Sequence, residues 1–394
     1  MTEKSSINKL KSFYSNLSHI LKDNWVKLDL LLGILLIIFV TLTFSSFWAS
    51  GTLFIEGLIY SSILILYSIK GKKGAERFYL ILGIAVIIRI IAIYQTGLPS
   101  GSFSQPGAFK DHDWVGFLFS QSFDYVTSSF PLFEIGTILI DSLTAYLILM
   151  ILKKQGLNKV YIILYLWNPF VIQEIYSHWN PYILWAFLVI LTGVLLLYQK
   201  RFWAALSLGF SIGFYDLSFL LLPMAIRSLR GFSLIAFLIP FGFLNLPKVK
   251  EFIASKTIGS DFIQALIHFI PKSNGTLHDY LVLAFISLAL SIIIWESFIR
   301  KEFIGKVFWS LLVITLAYPP FFEGAPFILI ALGVAYRNTG VLVLSLYLFM
   351  RPALASMMPS IFLDYDLYWQ YGLYLGWNLY PSILTIKKQW LKSS

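Results

Sequence analysis

Between Leu30 and Phe54 the chain carries no charged residue. Such a run is longer than the roughly 20 residues a helix needs to cross the hydrocarbon of a bilayer. In that solvent no water is on hand for the backbone, so only a helix or a closed barrel can span it. Further apolar stretches recur along all 394 residues, and only 13% of the chain is charged. A soluble domain carries roughly 25%. The pattern predicts an all-α, polytopic membrane protein whose first partners are membrane lipids. The chain has no cysteine, which removes disulfides, zinc-thiolate sites, iron–sulfur clusters and thiol nucleophiles. Its net charge of +10 comes mainly from basic residues lying between apolar runs. That distribution reads as membrane orientation, with the basic turns inside, and no nucleic acid is expected as a partner.

Four regions follow from the order of the runs. Residues 1–29 are polar and mixed in charge, so no secretory signal is expected. Leu10, Phe13, Leu17 and Leu21 share one face of an interfacial helix over 8–26, making this a cytoplasmic amphipathic segment. Residues 30–77 supply two spans, 30–54 and 51–69. The second takes in Glu56 near its outer end and closes on a basic turn of Lys70, Lys72, Lys73 and Arg77. Residues 78–245 hold the third span (78–94), the outer loop 95–130, and further spans over 131–152, 160–176 and from 181 to Lys200. Segment 202–226 has basic residues at both ends, yet Gly209, Gly213 and Asp216 lie at its centre. A re-entrant pair of half-helices is expected there; a single span is the simpler option but would invert every later loop.

Residues 246–394 form a C-terminal region with outer loop 247–279 and spans near 280–299, 307–319, 324–336, 338–351 and 367–386. Turns at Arg300-Lys301-Lys306, Arg337 and Lys387-Lys388-Lys392 fall inside. In all, about twelve spans plus the hairpin are expected, with both termini cytoplasmic. The sequon Asn274-Gly275-Thr276 lies in a loop placed outside.

Within the outer loop stands Asp111-His112-Asp113-Trp114. Two carboxylates and an imidazole this close together are expensive to hold at a lipid boundary. At i, i+2 spacing in a loop, Asp111 and Asp113 can approach one centre as base and as metal or hydroxyl ligand. The other reading is a solvated loop that caps an amphipathic stretch over 114–126. Arg89, near the outer end of the third span, either binds a phosphate bidentately or snorkels to the interface beside Tyr94. Glu134 and Asp141 share a helix face; Asp141 is expected to be buried and structural, and Glu134 to lie at the outer end near the site. His178 and Asn180 occupy the second outer turn, in reach of a sugar or phosphate if one binds there. Glu174, one helical turn earlier, either orients His178 or forms a buried ion pair. Asp216 caps a half-helix or pairs with Arg89.

The order of features resembles the multispanning GT-C glycosyltransferases, and among them the catalytic subunit of GPI mannosyltransferase I and its prokaryotic relatives. The likeness rests on the outer Asp-x-Asp, Phe130-Pro131-Leu132 and Ile140-Asp141-Ser142-Leu143-Thr144-Ala145-Tyr146. It continues with Leu166-Trp167-Asn168-Pro169-Phe170 and a Gly-broken segment ending Leu220-Leu221-Leu222-Pro223. The resemblance covers roughly residues 78–245 and implies a GT-C-like fold with an extracytoplasmic active site. It also implies a polyprenyl-phosphate sugar as donor, a hexose such as mannose, and a lipid-linked or surface glycan as acceptor. Asp111 and Asp113 would then be catalytic, and Arg89, His112, Glu134, Glu174, His178 and Asn180 would bind substrate. A divalent cation at Asp111 and Asp113 and a small membrane partner subunit are consistent with the same resemblance. The plasma membrane of a prokaryote, archaea included, is expected rather than the endoplasmic reticulum.

Two departures stand out. Relatives often carry Gly-His/Asn-x-Asp where this chain has Ser177-His178-Trp179-Asn180, and a lysine where it has Phe214-Tyr215-Asp216-Leu217-Ser218. In the missing lysine the chain is similar to the non-catalytic subunit U of the GPI transamidase. The alternative expectation is therefore a non-catalytic GT-C-like subunit that binds lipid or partner proteins.

Overall fold

The computed structural model describes residues 2–45, 49–68, 75–96, 132–176, 182–214, 235–240, 303–317, 326–336 and 338–358, with a few single positions elsewhere. Among these residues every regular element is a helix. Five helices are long and apolar enough to cross a membrane, over Asn24–Phe44, Ser50–Tyr67, Glu76–Gln95, Gly136–Lys154 and Thr339–Met357. The chain is an all-helical, multi-pass membrane protein. It divides into two compact units, one from 1–96, 152–177 and 342–394, the other from 97–151 and 178–341.

In the first unit α1 (Thr2–Phe44) packs against α2 (Ala49–Ser68) and α3 (Ala75–Thr96). The amphipathic stretch and the first span, expected as separate elements, are one helix. No proline interrupts residues 2–44, and their single glycine, Gly33, falls where α3 comes close. A Cβ there would lie 2.4 Å from the Ile84 side chain, the small-residue approach common between membrane helices. The first span therefore ends at Phe44, ten residues short of the expected Phe54. Near that end the hydroxyls of Thr41 and Thr43 turn back to the Ile37 and Phe39 carbonyls. On α1, Leu32, Leu36 and Val40 are buried while Leu31, Ile34 and Ile38 are exposed. Both faces are apolar, as a helix between protein and lipid requires.

Two basic residues expected in cytoplasmic turns are instead taken into helix packing. Arg77 belongs to α3 and is 3% exposed, paired with the fully buried Asp29 of α1, Nε to Oδ2 at 2.7 Å. Tyr67 of α2 donates to Asp29 Oδ1 at 2.5 Å and accepts from Arg77 Nη2. Trp25 lies with its ring 4.5 Å from the guanidinium carbon. One ionic cluster thus fastens all three helices at the same end. Lys306, the other basic residue, is buried inside the helix Phe303–Ala317 of the second unit.

Among the described residues, the remaining helices of the first unit are α5 (Ile163–Leu166), entered through a 3-10 turn at Lys159–Ile162, α6 (Pro169–Tyr176), and most of α11 (Thr339–Met357). The second unit holds most of α4 (Leu132–Lys154), with α7 (Tyr182–Leu197), α8 (Arg201–Phe214), α9 (Phe303–Ala317) and α10 (Pro326–Tyr336). There Ser207 of α8 donates to the Leu188 carbonyl of α7 at 2.9 Å, and Phe308 stacks on Tyr336 at 5.2 Å. Asp141 is fully buried. Gly209, placed above near the centre of the expected re-entrant pair, lies inside α8, before the segment where the hairpin was expected to turn. A Cβ at that position would come within 2.6 Å of the Phe237 carbonyl oxygen, so this glycine serves close packing. Residues 215–220, where the expected hairpin turns, lie outside the described residues, as do the span expected over 280–299 and, apart from three positions, that over 367–386.

Candidate functional site

The span expected over 160–176 is broken in the middle, and the sequence dictates where. Pro169 has no N–H to give the Tyr165 carbonyl, and a residue before proline is pushed out of helical geometry. α5 therefore ends at Leu166 and α6 begins at Pro169, with Trp167 and Asn168 between them. Irregular backbone at membrane depth is tolerated only where protein buries and satisfies it, and residues 162–172 are all buried.

Each carbonyl that the break orphans finds a donor. Trp167 N–H bonds the Ile163 carbonyl at 2.9 Å, and Asn168 N–H bonds that of Tyr165 at 3.2 Å. The Tyr60 hydroxyl donates to the Leu164 carbonyl at 2.8 Å. The Arg89 guanidinium donates through Nη1 to the Leu166 carbonyl at 3.0 Å. On the other side Asn168 caps α6, its Oδ1 accepting from Phe170 N–H at 3.0 Å and Val171 N–H at 3.5 Å. Its Nδ2 reaches Ser345 Oγ of α11 at 3.0 Å and Tyr60 Oη of α2 at 3.2 Å. Trp167 Nε1 donates to the Ile81 carbonyl of α3 at 3.1 Å. Three other helices, α2, α3 and α11, thus hold one two-residue break.

Arg89 brings a positive charge to this place while only 4% exposed. It also bonds the Ala85 carbonyl at 3.2 Å, and its guanidinium carbon lies 6.0 Å from the Tyr176 ring centre. The sidechain is turned into the unit, which sets aside the snorkelling reading. Glu174 lies half-buried on α6. Glu134 is in α4, its side chain outside the described residues, and Asp111, His112, Asp113, His178, Asn180 and Asp216 lie outside them altogether. The divalent cation expected at Asp111 and Asp113 falls there too. Of the sequence candidates, then, the structure brings Arg89 to the Leu166-Trp167-Asn168-Pro169 segment.

Sequence reading quoted Asn168 only as part of a motif. The available signal was an Asn-Pro step inside a long apolar run: an Asn that can cap the helix a proline restarts.

A broken helix stitched into a multi-pass bundle, with a buried arginine at the break, is the class of site this fold defines. Comparison of the chain with protein-family models, curated proteins and solved structures gives no match.

Proposed function

We propose that this protein is an integral-membrane, inverting glycosyltransferase that moves a hexose, of the mannose type, from a polyprenyl-phosphate donor to a lipid-linked or surface glycan. The single observation that supports this best is the buried Arg89 at the 166–169 break. Discontinuous membrane helices and intramembrane charges gather where anionic substrates are handled, and a polyprenyl phosphate is such a substrate. The proposed frame is about twelve spans plus a re-entrant pair, with both termini in the cytoplasm and the reaction outside a prokaryotic plasma membrane. Nucleotide sugars are cytosolic, so a transferase on the outer side needs a donor anchored in lipid.

In the proposed step Asp111 or Asp113 accepts the proton of the acceptor hydroxyl as its oxygen attacks the anomeric carbon. The bond from that carbon to the phosphate oxygen breaks, and the polyprenyl phosphate leaves with the electron pair. Inversion follows from the single displacement. Arg89, His178 and Asn180 are proposed to meet the donor, and His112, Glu134 and Glu174 to orient the sugar and acceptor. The test is transfer from polyprenyl-phosphate mannose by the purified full chain. Loss of the general base predicts a fall of about 10²–10⁴-fold in Asp111→Asn or Asp113→Asn. Wild-type rates in both variants would remove the assignment.

One observation favours a second reading, a non-catalytic GT-C-like subunit. Arg89 Nη1 is engaged by the backbone carbonyls of Ala85 and Leu166, as a purely structural tie would be. That reading predicts stable co-purification with other membrane subunits and a function indifferent to both carboxylates.

A further inference from the structure

A second buried feature of the first unit stands apart from the sugar-transfer reading and does not depend on it. A cavity of about 170 Å³ opens among α1, α2, α6 and α11. Its walls are mainly apolar, with Val40, Leu53 and Phe349 among them, and its polar groups come from Thr43, Glu56 and Gln173. Pro169, Ile172 and Gln173 present one face of α6 to it. A cavity of similar size, about 150 Å³, accepts benzene in a soluble protein, so the space suits a body of about six heavy atoms.

Glu56 is 2% exposed, and among the described residues no lysine, arginine or histidine lines the cavity. An ionised carboxylate in such a wall needs a counter-charge or a proton. Thr43 is its hydrogen-bond partner, yet Thr43 Oγ1 also lies 2.9 Å from the Phe39 carbonyl. A hydroxyl has one proton to give. Thr43 cannot serve the helix carbonyl and an ionised Glu56 at once: whenever Thr43 bonds back to Phe39, the pair is completed either by a proton on Glu56, given to Thr43 Oγ1, or by a donor from outside. The Gln173 amide adds a hydrogen-bonding group on the opposite wall.

We propose that this cavity binds a primary ammonium group carried on a short apolar body, with Glu56 as its counter-ion. The ammonium supplies both the charge and the donors that Thr43 cannot, and the apolar walls take the carbon chain. Two sources share that chemistry, a soluble alkylamine and the ethanolamine headgroup of a phospholipid.

The experiment titrates n-butylammonium chloride onto the purified full chain in phosphatidylcholine nanodiscs, with n-butanol as the uncharged control. Saturable binding of one butylammonium per chain is expected, weakened by at least about tenfold in Glu56→Gln, and n-butanol should not distinguish the two proteins. Repeating the titration in discs containing phosphatidylethanolamine separates the sources. A weaker apparent affinity there identifies the headgroup as the natural occupant; an unchanged one identifies a soluble amine. Leu53→Phe fills the cavity while keeping the carboxylate, and it too should lose binding, which covers the case in which the Gln variant does not fold. Absence of saturable binding to the wild type, or wild-type affinity in either folded variant, overturns the proposal.

Discussion

Asp29 and Arg77 are each almost wholly out of water, so their contribution shows most clearly when one is removed and the other stays behind. Breaking a buried pair of this kind costs about 3–5 kcal/mol, because the surviving charge is uncompensated. Asp29→Asn should therefore lower the thermal unfolding midpoint of the detergent-solubilised protein strongly. Adding Arg77→Met should recover part of that loss, and a double-mutant cycle that came out additive would show that the two do not act as a pair. Asn168 offers a contrast at the same scale. Asn168→Ala removes an N-cap, about 1 kcal/mol, together with two interhelical bonds at about 0.6 kcal/mol each. Ser345→Ala removes one of those bonds and should be correspondingly mild in the same unfolding assay. Arg77 and Lys306 also show where sequence reading falls short. Counting basic residues between apolar runs orients a membrane chain, but it treats each as solvated. Only tertiary packing reveals that these two are buried inside helices.

At the scale of the element, hydropathy located the second, third and fourth spans to within a few residues. Apolar content is a property of the run itself, and the bilayer demands it of every spanning helix. The end of α1 was missed because the turn after Phe44 is as uncharged as the helix before it, so no composition change marks it. Proline gave the break at Pro169 its position, although the partners that satisfy it come from residues as far away as Tyr60 and Ser345. Gly209 shows a related limit: a glycine at a close approach and a glycine at a break look alike in sequence. Gly209→Ala should destabilise the protein by about 1–3 kcal/mol, since the added methyl meets the Pro240 ring and the Phe237 carbonyl. Gly83→Ala meets nothing within 4 Å and should be neutral or slightly stabilising. Equal effects of the two substitutions on unfolding in detergent would contradict the packing role of Gly209.

For the whole molecule, the sequence made the membrane class legible through the charge deficit and the repeated apolar runs. The candidate site was legible only in part. Arg89 and the 166–170 segment were both singled out, but their contact depends on how α3 lies against α5, which no local pattern encodes. The proposed topology has a direct check, made clean by the absence of cysteine. A single cysteine replacing Ser102 should react with a membrane-impermeant maleimide added to intact cells. One replacing Lys72 should react only after the cells are opened. The reverse pattern would invert the orientation and move the proposed chemistry to the cytoplasm.

The cluster that fastens α1, α2 and α3 also sets an order of events during synthesis. Asp29 leaves the ribosome 48 residues before Arg77, a delay of about 2–10 s at ordinary elongation rates. During that interval the first hairpin carries an acidic group whose ionic partner has not yet been made. The cluster is therefore completed only when the third helix arrives.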